Sequence, residues 1–263
     1  MKGTWVIFRR ECASLFWTPL GWLLLVAAVL LNGLLYWAQL NQTGGNVTAS
    51  LSAAMGWGIV FWMVMIFLPP LLAMRLLAEE SRTGTLEYLL TAPVSDAAVI
   101  VGKFLAATTF MAVLWSSVLL YGLQLQWLGS PPDWAALLCA YLGAILVSGL
   151  FVSLSLLASS LTQAPLLAAF LAIIGCTGWL LLPMLMQSAL AQLRDILAQW
   201  VGGWDRAEAW IQSGIRSIDV AMHFQQSFLP GVLDSAELVF FLTWSGLFLF
   251  LTIRSLEARR WRV

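Results

Sequence analysis

Long apolar runs alternate with short polar interruptions along this chain. No Asp, Glu, Lys or Arg occurs from Cys12 to Met74 or from Trp134 to Leu193. Each gap is too long for a single crossing, because about 20 residues traverse the hydrocarbon of a bilayer. Turn-rich polar breaks divide them, at Asn41-Gln42-Thr43-Gly44-Gly45-Asn46-Val47-Thr48 and at Ser159-Ser160-Leu161-Thr162-Gln163-Ala164-Pro165. The pattern predicts six helical spans, at 19–40, 54–77, 97–124, 134–158, 165–187 and 235–254. Thr18 and Pro19 suit the cap and first turn of the first span. Pro69-Pro70 should kink the second. Pro93 precedes a capping Ser95 at the third. Pro165 fits the start of the fifth, and Pro183 ends or bends it.

Three segments outside the spans carry mixed patterns. Residues 1–18 set Lys2, Arg9 and Arg10 among Trp5, Val6, Ile7, Phe8, Leu15, Phe16 and Trp17, as an amphipathic helix at the lipid surface would. Residues 189–234 place charges among apolar residues. Leu190, Leu193, Leu197, Trp200 and Trp204 form a stripe at helical spacing, which suggests two short helices lying on or dipping into one membrane face. Between the second and third spans, residues 79–95 form a charged island with Glu79, Glu80, Arg82 and Glu87 within nine positions. Arg75, just before it, can snorkel to the interface or pair with Glu79. Residues 255–263 end the chain on a basic tail.

Composition narrows the class. Of 263 residues, 61% are hydrophobic and 10% charged, with mean hydropathy +0.88. Soluble domains carry about 25% charge, so the expectation is an all-α integral membrane protein, one transmembrane domain over 1–263. Zero net charge gives no basic field for nucleic acid. Cys12, Cys139 and Cys176 have no paired spacing and read as small buried hydrophobes. The first apolar run lacks a small-residue cleavage site and is read as a span. With six spans the termini, the charged island and the 159–164 turn share a side. Ten of the Lys and Arg residues fall on that side, against Arg194, Arg206 and Arg216 on the other. The positive-inside rule then puts both termini in the cytoplasm, in a multi-pass protein of the cell (inner) membrane.

Catalytic chemistry has no foothold in the pattern. There is no Gly-x-x-x-x-Gly-Lys-Ser/Thr phosphate loop, and a single histidine, His223, cannot form a His-Glu-x-x-His zinc site. No Gly-x-Ser-x-Gly elbow occurs. His223 reads as a hydrogen-bonded structural residue. Asn41-Gln42-Thr43 and Asn46-Val47-Thr48 match the glycosylation sequon but read as a plain turn. Small hydroxylated residues inside the spans, such as Ser148 and Ser155, suit helix packing, and the fifteen tryptophans suit interface anchoring.

The charged island admits two readings from its residues alone. In one, Thr83 and Gly84 start a short helix to Thr91, about 12 Å long. Glu79, Glu80, Arg82 and Glu87 then make charged contacts, while Leu86, Leu89 and Leu90 settle into lipid or a partner groove. In the other it is a solvated loop whose charges only enforce topology.

Resemblance adds to this. Glu79-Glu80-x-Arg82-x-Gly84-Thr85-Leu86-Glu87-x-Leu89-Leu90-x-x-Pro93-Val94-Ser95, followed by Gly102-Lys103, resembles the signature of ABC-2 type transporter permeases. Phe8-Arg9-Arg10-Glu11 with Thr18-Pro19-Leu20-Gly21, and Ser159-Ser160-Leu161-Thr162-Gln163, are similar to segments of that family. The ending, with His223-Phe224, Phe228, Gly231-Val232-Leu233-Asp234, Leu251-Thr252 and Arg259-Arg260-Trp261, resembles the branch found in gliding-motility and nitrous-oxide-reductase maturation systems. Pro230 departs from it, where that branch often has arginine.

The resemblance implies a permease subunit of an ATP-driven exporter, paired with a second permease chain as a homodimer or heterodimer and with two cytoplasmic ABC ATPase subunits. The chain itself would need no cofactor, since ATP and Mg would sit on the ATPase. Residues 79–95 would be the cytoplasmic coupling segment, with Glu79, Glu80, Arg82, Thr83, Gly84, Thr85, Leu86, Glu87 and Leu90 facing the ATPase. Residues 189–234 would be extracytoplasmic re-entrant helices. An alternative role is a membrane subunit that anchors ATPase motion, or transmits it to an extracytoplasmic auxiliary protein, without moving substrate.

Overall fold

The computed structural model describes residues 2–42, 44–85, 94–200 and 204–260, and all regular structure among them is helical. The elements are α1 (Lys2–Trp17), α2 (Pro19–Gln42), α3 (Val47–Ser52), a π turn (Ala53–Trp57), α4 (Ile59–Ala73), a second π turn (Met74–Ala78), α5 (Glu79–Thr83), α6 (Asp96–Trp127), α7 (Trp134–Leu161), α8 (Pro165–Trp200), α9 (Trp204–Arg216), α10 (Val220–His223), a third π turn (Phe224–Phe228) and α11 (Ser235–Arg260). Among the described residues, six helical stretches are long and apolar enough to cross a bilayer: Gly21–Gln42, Ser50–Thr83, Asp96–Trp127, Trp134–Leu161, Pro165–Arg194 and Ser235–Ala258. This is an all-α, multi-pass membrane architecture.

Helix α7 is the axis of the bundle and packs against α4, α6, α8 and α11. It starts at Asp133, whose carboxylate accepts the Ala135 and Ala136 N–H groups and so caps two donors that would otherwise be orphaned. Its buried face is built from small residues, Gly143, Ala144, Val147, Ser148 and Ser155 among them. Small side chains let neighbouring backbones approach closely, which drives helix association where lipid removes the hydrophobic gain. Their hydroxyls are satisfied locally. Ser155 donates to Phe151 O, and Ser148 donates to Ala144 O while accepting the Trp115 indole N–H at 3.1 Å. Trp115 is therefore a core residue, unlike the exposed Trp17 and Trp127 at helix ends.

Burial separates the inner helices from the rim. In α2, α8 and α11 22% of the apolar window is buried, against 50–61% in the Ser50–Thr83 stretch, α6 and α7. The rim helices leave their other faces for lipid or for another chain.

Ser50–Thr83 is interrupted twice. Gly56 has φ +152° and Gly58 is extended, so the ladder breaks there and the Gly56 carbonyl turns to side chains. It accepts the Trp62 indole N–H at 2.9 Å and the Gln225 amide at 3.0 Å. A Cβ at Gly56 would come within 2.2 Å of the Phe224 ring, so the position admits only glycine. Pro69 and Pro70 stay inside α4, and the helix then widens into the Met74–Ala78 π turn. Prolines remove donors from the ladder, and π turns are where helices absorb such irregularity.

Helix α8 runs through Pro183 without ending, so Leu190 and Leu193 lie on its extension. Helix α9 folds back beside it, and the Trp179 indole donates to Ile218 O at 2.9 Å to hold the return. Phe224 and Phe228 then plug into the bundle. Phe224 stacks on Phe61, while Gly143 takes both rings so closely that a Cβ there would lie 2.5 Å from Phe228 Cγ.

Candidate functional site

Four charged side chains from three separate elements converge beside the start of the charged island. Arg10 and Glu11 come from α1, Glu80 from α5 and Lys103 from the second turn of α6. Lys103 Nζ lies 3.0 Å from Glu11 Oε1 and 2.8 Å from Glu80 Oε2. Arg10 Nη2 contacts Glu11 Oε1 at 2.6 Å and Glu80 Oε1 at 3.0 Å. Two cations and two carboxylates thus alternate in a closed ring.

The local sequence explains how this ring is buried. At Gly102 a Cβ would meet Ile7 Cγ2 at 2.9 Å and Thr4 O at 3.1 Å. With no side chain there, α1 lies directly on α6. The next residue, Lys103, is consequently 0% exposed beneath α1, and Glu11 is also buried. A buried charge costs several kcal/mol unless it is paired, so the ring is a requirement of the packing once Lys103 occupies that position. Lys103 donates a hydrogen bond to Glu11, whereas its contact with Glu80 is a close ion pair without hydrogen-bond geometry.

Burial alone would lower the Arg10 pKa. The hydrogen bond and charge of Glu11, then those of Glu80, outweigh it and leave the guanidinium above its ordinary value. Beside the ring, burial and then the Glu11 charge push the Cys12 thiol up.

The ring is also fixed to the charged island. Ala78 N–H donates to Ser159 Oγ at 3.0 Å, which ties the second π turn to the end of α7. One turn further, α5 stops at Gly84, which has φ +76°. Left-handed backbone favours glycine, and this is a common way to end a helix. The Thr83 hydroxyl folds back to within 3.0 Å of Glu79 O. At the other end of the island, Ser95 accepts the Ala98 N–H and caps α6. Val94 there abuts Gly3 of α1 so closely that a Cβ on Gly3 would lie 3.0 Å from Val94 Cγ1. Helix α1 therefore grips both ends of the island, at Glu80 and at Val94.

The residues read as facing a partner distribute unevenly. Glu80 belongs to the ring. Arg82, Thr83 and Thr85 are exposed, and Glu79 and Gly84 are half-buried. Arg75 is exposed and pairs with neither Glu79 nor any other acidic residue among those described. Leu86, Glu87 and Leu90, and most of the short helix expected over 84–91, lie outside the described residues. Read from the sequence, Arg10 is a cation of the interfacial helix, Arg10 and Lys103 count toward topology, and Glu11 and Lys103 fall in family motifs, so the ring is missed. The available signal was a lysine inside a span otherwise free of charge, with a carboxylate on each of two flanking segments.

At the opposite end of the bundle His223 has a structural setting. Its Nδ1 lies 2.7 Å from Glu237 Oε2, and its ring stacks on Phe240.

No curated protein matches the chain in sequence. The sequence model of a family described as ABC-2 family transporter protein matches residues 5–257, almost the full length. That match runs through all six spans, the ionic ring and the island that α1 grips. The chain belongs to the ABC-2 family of transporter proteins, as a membrane component that lacks the nucleotide-binding motifs and works with an ABC ATPase.

Proposed function

We propose that this chain is the permease subunit of an ATP-driven exporter, and that residues 79–95 are the seat of its ATPase. The observation that carries this is the double grip of α1 on the island, through Glu80 at one end and Val94 at the other. Its two held ends therefore move with their holders. Force applied at those ends passes through Lys103 to α6 and through Arg10 and Glu11 to α1. A solvated loop that only enforced topology would need no such attachment.

In this mechanism, ATP binding closes two ATPase subunits in the cytoplasm. Their motion is delivered to Glu79, Arg82, Thr83, Thr85, Leu86, Glu87 and Leu90. Gly84 supplies the turn that presents them. The ring converts that displacement into a joint shift of α1, α5 and α6, opening a path between this chain and a second permease chain. Both termini lie in the cytoplasm of a cell whose inner membrane holds the complex.

Proteoliposomes holding the permease with its ATPase test this reading. Replacing Gly84 by valine strains the left-handed backbone by roughly 1–2 kcal/mol. ATP turnover in Gly84→Val should lose its dependence on the permease, and so should turnover in Glu87→Ala. Wild-type permease-dependent turnover in both variants contradicts the proposal.

A further inference from the structure

The end of the bundle opposite α1 holds a polar cleft that the export mechanism above does not use. It lies between the extension of α8 and the returning α9, has a volume of about 530 Å³, and is lined by Gln187, Arg194, Glu208, Gln212 and Arg216, with Met222 among its apolar lining residues. Its charges are unequal. Glu208 is buried, accepts the Gln212 amide at 2.9 Å and lies 3.5 Å from Arg194 Nε. Arg216 has no ion pair among the described residues. Two guanidinium groups against one carboxylate leave an uncompensated cation facing the cavity.

Its height is set by α8. From Pro165 to Gln187 the helix rises about 33 Å at 1.5 Å per residue, close to one hydrocarbon thickness of about 30 Å. Gln187 therefore reaches the far interface, and Arg194 stands about 10 Å further along the helix, from where its long side chain can reach back to the lipid headgroups. Exposed Met184 and Leu185 lie on the same helix just below. The cleft is thus a polar niche directly above an exposed apolar surface. The three cations that the chain carries on this side, Arg194, Arg206 and Arg216, all fall in this one segment. Two of them line the niche.

We propose that this cleft binds the phosphate group of a phosphate-bearing headgroup. Guanidinium forks match phosphate oxygens two at a time, and phosphate is the anion that headgroup level supplies. Gln187 and Gln212 add amide donors for ester or hydroxyl oxygens. The pairing of Glu208 with Arg194 keeps that guanidinium aimed across the cleft and leaves Arg216 as the main anion contact.

Native mass spectrometry of the full chain in detergent decides this, with phosphatidylglycerol, diacylglycerol and glycerol 3-phosphate as probes. The chain should retain phosphatidylglycerol and not diacylglycerol, which shares its tails. Arg216→Gln should weaken retention by about tenfold or more, as loss of a charge-assisted contact does. Arg216 has no ion pair to lose among the described residues, so this variant keeps its fold. Arg194→Gln with Arg216→Gln should abolish retention, and Arg75→Gln, at the other end of the bundle, should leave it unchanged. Equal binding of glycerol 3-phosphate, lost in Arg216→Gln, would support the phosphate site and identify a soluble source; its failure to bind would identify the amphiphile. Phosphatidylglycerol retention equal in wild type and both arginine variants, or equal retention of diacylglycerol, overturns the proposal.

Discussion

Lys103 Nζ lies 3.0 Å from Glu11 Oε1, although 92 positions separate the two residues in the chain. This one contact joins a helix outside the spans to the head of the third span. It exists because Gly102 lets α1 lie flat on α6. The lysine could not be tolerated there without it.

Removing the lysine should therefore be worse than removing the ring. Lys103→Met leaves the buried Glu11 with Arg10 alone, at a cost of about 3 kcal/mol, the lower end for a broken buried ion pair because Arg10 can still reach both carboxylates. Adding Glu11→Leu and Glu80→Gln should recover most of that stability, since replacing all the buried charges by uncharged groups is often nearly neutral. Thermal unfolding of the three forms in detergent checks the order. Permease-dependent ATP turnover should stay low in the triple variant, because stability returns without the linkage.

Cys12 reports on the same ring. Burial, and then the Glu11 charge, hold its pKa up, so the folded chain retains the thiol proton after an unfolded chain begins to lose it. This group therefore lowers stability as pH rises through the ordinary thiol value, and it contributes nothing below that. Alkylation by iodoacetamide at pH near 8 should be slow in the native chain. In Glu11→Gln it should speed up several-fold, because thiolate is the reactive form.

At the far end, the notch formed by Gly143 should be intolerant of side chains. Gly143→Leu forces Phe228 and Phe224 out of their seats, and overpacking of this kind costs about 1–3 kcal/mol. Phe228→Ala should cost about 3–5 kcal/mol through the cavity it leaves. Because the residues touch, the two changes together should cost less than their sum. Denaturation midpoints of the single and double variants measure the coupling.

The spans are legible in the sequence because charge is excluded from lipid at a cost of about 2.5–3.5 kcal/mol per residue. The charge-free gap from Cys12 to Met74 is long enough for two crossings and offers water no charged face. The cap at Ser95 is legible for a similar reason, since capping depends on neighbours in sequence. The ring is not. Lys103 looks like an interfacial cation until Gly102 is seen to meet Ile7 and Thr4, a contact made only in the folded bundle. The continuation of α8 past Pro183 is equally hidden, because proline marks a possible end and tertiary packing decides whether it is taken. The break at Gly56–Gly58 has no sequence cue beyond two glycines; the need for glycine at 56 comes from the Phe224 ring, 168 positions downstream by residue number.

The export mechanism requires an ATPase seated on residues 79–95. Site-specific photocrosslinking tests it most directly, with a benzophenone amino acid placed in turn at Arg82, at Thr85 and at Trp210 on the opposite end. An ATPase seated there should give covalent adducts from positions 82 and 85 and none from 210. An intact complex that yields no adduct from 82 or 85, or one that crosslinks from 210 instead, would contradict it.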